Sequence, residues 1–123
     1  MKLHLDHNDV QYLITGYGAD HVLVNGVAHH HGLVVLPDEL IVDWARDLAA
    51  LTALHFEAVV IRAPEIVLLG TGQRQRFPSP ALYRGLIAAR IGVEIMDTRA
   101  ACRTYNILAG EGRRVAAALL IGD

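Results

Sequence analysis

Apolar positions fall into short blocks cut by turn residues in the first half of the chain and into longer, helix-separated blocks in the second. Val10 to Thr15 and Val22 to Val24 are apolar or β-branched runs. Gly16, Gly18 and the pair Asn25-Gly26 punctuate them, the latter a strong local hairpin signal. Gly32 opens Leu33-Val34-Val35-Leu36 and Pro37 closes it, so three or four strands are expected here, with an N-terminal β-hairpin region. Residues 38–51 fit two templates. Leu40, Ile41, Trp44, Leu48 and Leu51 suit a helical stripe, and Ile41-Val42-Asp43-Trp44 suits a strand. A helix is predicted over 52–63 from the spacing of Leu54, Ala58 and Ile61, despite the β-branched Val59-Val60-Ile61.

Glu65 to Gly70 is continuously apolar after its first residue and has strand length, the pattern of a strand covered on both faces. Ser79-Pro80 offers an N-cap and a first-turn proline for a helix with Leu82, Leu86, Ile87 and Ile91 on one face and Gly92 at its end. Val93 to Met96 reads as a strand, Asp97-Thr98 as the cap of a helix running to Ala109 and stopped by Gly110, and Val115 to Leu120 as the last strand. Strands alternating with helices predict an α/β sheet with helices on its faces.

The chain has 123 residues, enough for a single α/β domain over 1–123. Apolar residues make up 53 % and mean hydropathy is +0.32, far from the composition of disordered chains. Runs such as Val115 to Ile121 are much shorter than the ~20 residues that span a bilayer. The N-terminus carries neither a secretory nor an Arg-rich transit pattern, and a lone cysteine forms no internal disulfide, so a cytoplasmic protein is expected.

Net charge is −2, yet it is unevenly spread. Residues 1–61 hold two cations against eight acids, and residues 62–123 hold nine arginines against five acids. This favours an acidic or anionic partner for the second half and argues against general nucleic-acid binding.

Ligands of α/β sheets sit beyond the carboxyl ends of strands. The first such loop is Gly70-Thr71-Gly72-Gln73-Arg74-Gln75-Arg76-Phe77-Pro78, whose glycines permit close backbone approach and whose Arg74 and Arg76 could meet an anion. It lacks the lysine of a phosphate loop and the third glycine of a dinucleotide fingerprint, so a structural turn competes with a binding loop. The second is Asp97-Thr98 with its helix, where Arg99, Arg103 and Asn106 form a polar stripe opposite Ala101, Tyr105 and Leu108. That stripe is either a solvated face or a recognition face.

Cys102 lies near a predicted helix N-terminus between Arg99 and Arg103, a setting that can lower a thiol pKa, but no base accompanies it. It reads as a buried small residue, and an enzyme using Cys102 or Asp97 has the least support. His29 and His31, with His4, His7 or His21, could surround zinc, but no Cys-x-x-Cys or His-Glu-x-x-His accompanies them, and no metal or cofactor is expected.

Three stretches together resemble one family: Pro64 to Gly72, Gly92 to Leu108 and Glu111 to Leu119, with Tyr17 and Trp44 as looser upstream matches. It is a small domain family of unknown function whose mitochondrial members are complex I assembly factor three proteins. The resemblance implies a three-layer α/β fold around a central mixed sheet with one strand antiparallel to the rest, and a strand around Trp44. It also implies a non-catalytic role, since the mitochondrial members bind partner proteins during assembly of the NADH:ubiquinone oxidoreductase. The expected function is thus a binding or assembly protein with a protein partner; a small anionic ligand at Gly70–Gly72 is the alternative. A homodimer through an exposed strand edge is compatible with both.

Overall fold

A computed structural model of the protein describes residues 11–122. Three strands form a small antiparallel sheet in the order β1-β2-β3: β1 (Ile14–Tyr17), β2 (Val22–Val24) and β3 (Val27–His29). Asn25 and Gly26 both have positive φ, +47° and +82°, the turn that matches the twist of a tight hairpin. The first strand starts four residues later than its apolar run suggests. Tyr12 and Leu13 lie outside the ladder, and Val10 lies outside the described residues.

The second sheet has five strands: β4 (Leu33–Leu36), β5 (Glu39–Ile41), β6 (Ile66–Thr71), β7 (Gly92–Met96) and β8 (Val115–Leu120), in the order β5-β4-β8-β6-β7. β8, β6 and β7 are parallel, and β4 pairs antiparallel with both its neighbours, so it alone runs against the others. The helices are α1 (Ala53–Val60), α2 (Arg84–Ala88) and α3 (Thr98–Gly110).

Strand alternation sorts the core into two faces. Val34, Leu36, Val67, Leu69, Ala116 and Ala118 point towards α1 and α2, where they meet Phe56, Val59 and Leu86. Leu33, Val35, Leu68, Val115, Ala117 and Leu119 point the other way, towards Ala101, Tyr105 and Ala109 of α3 and the small sheet. The result is three layers: α1 and α2, the mixed sheet, and α3 with the β1–β3 sheet. All six residues of β8 are buried because it lies between two strands and under both outer layers.

Several sequence expectations need correction. The strand expected around Trp44 ends at Ile41, and the competing helix reduces to a 3-10 turn at Leu48–Ala50. Trp44 instead plugs the first core face from a loop, donating its indole N–H to the His55 carbonyl at 2.9 Å. α1 exists, but its buried face is Phe56 and Val59, and Leu54 and Ile61 are 73 % and 76 % exposed. The helix expected from Ser79 is a 3-10 turn over Pro80–Tyr83 followed by the short α2, the Ser79 side chain makes no cap hydrogen bond, and Ile87 is exposed.

Candidate functional site

β6 is followed by α2 on one face of the sheet, and its parallel neighbour β7 by α3 on the other. Adjacent parallel strands whose connections leave to opposite faces open a crevice at their carboxyl ends. The two loops singled out from the sequence are the two that leave this point.

Thr98 ties the two loops together. Its backbone N–H donates to the Gly72 carbonyl at 2.8 Å, and its hydroxyl accepts from the Gly72 N–H at 2.8 Å. The same hydroxyl donates to the Leu120 carbonyl at 2.6 Å, so one buried side chain ties together the ends of β6 and β8 and the start of α3. Gly72 has φ +96°, a conformation that disfavours any side chain. A Cβ on Gly70 would lie 2.9 Å from the Thr98 hydroxyl and 3.0 Å from its Cα, so this approach requires glycine.

Thr71 is fully buried; its hydroxyl donates to the Arg74 carbonyl at 2.6 Å and accepts from the Arg76 N–H at 3.0 Å, folding the loop back on itself. The Gln75 side chain donates to the Ile95 carbonyl of β7. Asp97 caps α3 by accepting from the Ala100 N–H at 2.9 Å. The glycines, Thr71, Asp97 and Thr98 therefore build the site, and the exposed side chains Gln73, Arg74, Arg99 and Arg103 are what it presents.

A third segment that sequence reasoning did not place here completes the crevice. Tyr17 at the end of β1 and Gly18, Ala19 and His21 of the β1–β2 loop line it with Gly72, Gln73, Thr98 and Arg99, and the enclosed space is only ≈ 20 Å³. The Tyr17 hydroxyl accepts from Arg103 at 3.2 Å. Asp20 accepts from the His21 ring at 2.8 Å, and this hydrogen bond holds its carboxyl below the usual range. Tyr17 is singled out in the sequence only through the family resemblance.

Asn106, read as part of a polar stripe with Arg99 and Arg103, turns towards the small sheet. Its carboxamide accepts from the Ile14 N–H at 2.9 Å and donates to the Ile14 carbonyl at 2.7 Å, completing the edge of β1. Tyr105 donates to the Tyr12 carbonyl at 2.7 Å beside it. Cys102 is buried, and burial pushes its thiol up to about 12 despite the neighbouring Arg103. Desolvation therefore outweighs the arginine, and a reactive thiolate does not form there at neutral pH.

Among the described residues no three His, Cys, Asp or Glu side chains converge as a metal site would need. His29–His31 lie along a shallow surface pocket with Asp43, and His4 and His7 fall outside the described residues. No helix among the described residues is long and apolar enough to cross a membrane.

A family model described as "Protein of unknown function (DUF498/DUF598)" matches residues 14–120. The chain belongs to that family. A protein of Bordetella parapertussis, known from its crystal structure, is 42 % identical, covers 91 % of this chain and 97 % of its own, and superposes with a TM-score of 0.84. The NADH dehydrogenase [ubiquinone] 1 alpha subcomplex assembly factor 3 of Bos taurus is 34 % identical over 110 residues, covering 87 % of this chain. The chain spans 59 % of that bovine relative's length. A Francisella tularensis relative named a 13 kDa major membrane protein is 27 % identical over 100 residues, 80 % of this chain and 81 % of its own. Relatives similar to this chain thus carry names as different as assembly factor and membrane protein.

Proposed function

We infer that the protein is a non-catalytic binding protein that engages a partner protein during assembly of a larger complex. Its contact face is the crevice where the Gly70–Gly72 loop, the start of α3 and the β1–β2 loop meet. The observation that carries this reading is the division of labour at Thr98. The Thr98 hydroxyl and backbone N–H lock the two loops together and the Thr71 hydroxyl folds the first loop on itself, leaving Gln73, Arg74, Arg99 and Arg103 exposed above them. A hydrogen-bonded backbone beneath these side chains suits recognition of another surface, because the side chains and not the loops themselves then have to be ordered on contact.

Catalysis finds no support in the same residues. Asp97 is committed as a helix cap, and Cys102 is buried with its thiol held protonated and no base beside it. The space enclosed by the crevice, ≈ 20 Å³, suits a single water and favours surface contact over uptake of a phosphorylated metabolite. The assembly role draws on the relatives named complex I assembly factor. We assign the partner face to Gly70, Thr71, Gly72, Arg74, Asp97, Thr98, Arg99 and Arg103, with Asn106 shaping it through β1.

Affinity purification from the source cells with wild-type protein and with the Arg99→Glu/Arg103→Glu variant tests this. A partner retained by the wild type and lost by the variant, with unchanged circular dichroism, is the expected result. Recovery of the same proteins by both forms refutes the face.

A further inference from the structure

The sequence stripe Leu54, Ala58, Ile61 does not enter the core, and what lies beside it is an unfilled groove. Between α1 and the 3-10 turn leading into α2 runs a groove of ≈ 380 Å³. Phe56 and Leu82 lie in it, and its walls are the small residues Ala53, Ala81, Gly85 and Ala88. Large apolar side chains on these two helices, or at the C-cap of α1, are left in solvent: Leu54 at 73 %, Ile61 at 76 % and Ile87 at 57 % exposed. One helix pair thus offers both apolar side chains to insert and small-residue walls to receive them.

The charges have the same self-complementary arrangement. Glu57 lines the groove from α1 and Arg84 lines it from α2. Among the described residues neither is in an ion pair, whereas Arg46, Arg62, Arg113 and Arg114 are. In an interface with two-fold symmetry every contact occurs twice, residue i of one copy against residue j of the other and the reverse. A surface with one acid on one wall and one base on the other fits such a two-fold, because Glu57 then meets Arg84 of the second copy and Arg84 meets its Glu57.

We propose that the α1–α2 groove is the homodimer interface of this protein, its occupant being the α1–α2 face of a second copy. The groove lies on the sheet face opposite α3, so the dimer leaves two copies of the candidate partner face free. A dimer through the outer edge of the five-stranded sheet at β7 is less well prepared, since Gln75 already donates to the Ile95 carbonyl there.

Sedimentation equilibrium of the full chain over a wide concentration range, with Glu57→Arg, Arg84→Glu and an equimolar mixture of the two, tests the proposal. The wild type is expected to reach twice its monomer mass. Each single variant is expected to stay monomeric, because like charges then face each other across both contacts. The mixture is expected to recover a dimer of one copy of each, since opposite charges then meet at both contacts, and that recovery also shows both variants folded. A wild type that stays monomeric at every concentration, single variants that dimerise as well as the wild type, or a mixture that stays monomeric would each overturn it. The outcome is independent of the α3 face, whose arginines none of these variants touches.

Discussion

Thr98 sets the geometry of the candidate site. A hydroxyl suits this position because it both donates and accepts, which valine of nearly the same shape does not. Thr98→Val leaves the Gly72 N–H and the Leu120 carbonyl buried without partners. Each buried group left unpartnered costs about 1–3 kcal/mol, so the variant is expected to lose about 2–6 kcal/mol of stability in urea denaturation. Thr98→Ser, which keeps the hydroxyl, is expected to lose much less. Equal losses for the two would mean that packing of the methyl, and not the bridge, matters.

Cys102 shows how sequence neighbours mislead at this scale. Arg99 and Arg103 flank it in the chain and suggest an activated thiol, but its buried neighbours are Ala101, Tyr105 and Leu68 of the same core face. Burial pushes its pKa up to about 12 from an ordinary value of 9.0, so the thiol stays protonated at neutral pH. Iodoacetamide is expected to label the native protein far more slowly than the urea-unfolded chain, and equal rates would contradict the buried assignment.

Among the elements, strands bounded by turn chemistry were legible. β2, β4 and β8 fall where Asn25-Gly26, Gly32 with Pro37, and the apolar run Val115 to Leu120 place them. α3 was legible from its cap and its stop, since Asp97 makes the expected hydrogen bond and the helix ends at Gly110. α1 was legible as a helix but not in its orientation. Leu54, Phe56, Val59, Val60 and Ile61 surround it with apolar residues, so spacing alone does not choose the buried face. Trp44 was misplaced because its burial comes from a loop crossing the sheet, which no periodicity records.

The joint between α3 and the small sheet explains why the polar stripe of α3 divides. Gln11, Tyr12 and Ile14 are all held by α3, through the Ala109 carbonyl, the Tyr105 hydroxyl and the Asn106 carboxamide. Asn106→Ala removes both bonds to Ile14 and is expected to cost about 1–3 kcal/mol. Hydrogen exchange at the Ile14 amide is expected to accelerate more than at Leu68 in the central strand. Uniform acceleration across the chain would show that β1 does not open separately.

For the whole molecule, charge asymmetry was visible in the sequence and its meaning was not. Of the nine arginines after residue 61, Arg62, Arg113 and Arg114 pair with carboxylates near the amino ends of the parallel strands. Arg74, Arg99 and Arg103 lie at the carboxyl ends, where Tyr17 meets Arg103 from 86 residues away in the chain. Sequence order hides such a meeting, because only the opposite placement of α2 and α3 opens the crevice and only the docking of the small sheet brings its loop there.

The central claim is that this end of the molecule meets a partner protein. A photo-crosslinking residue placed at Gln73 tests it most directly in living cells, against the same residue at Glu111. Glu111 follows the last turn of α3, about 20 Å away along a helix of thirteen residues. One discrete protein crosslinked from Gln73, absent from Glu111 and lost when Arg99→Glu is added, is the predicted result. Crosslinking from Glu111 but not from Gln73 would contradict the account.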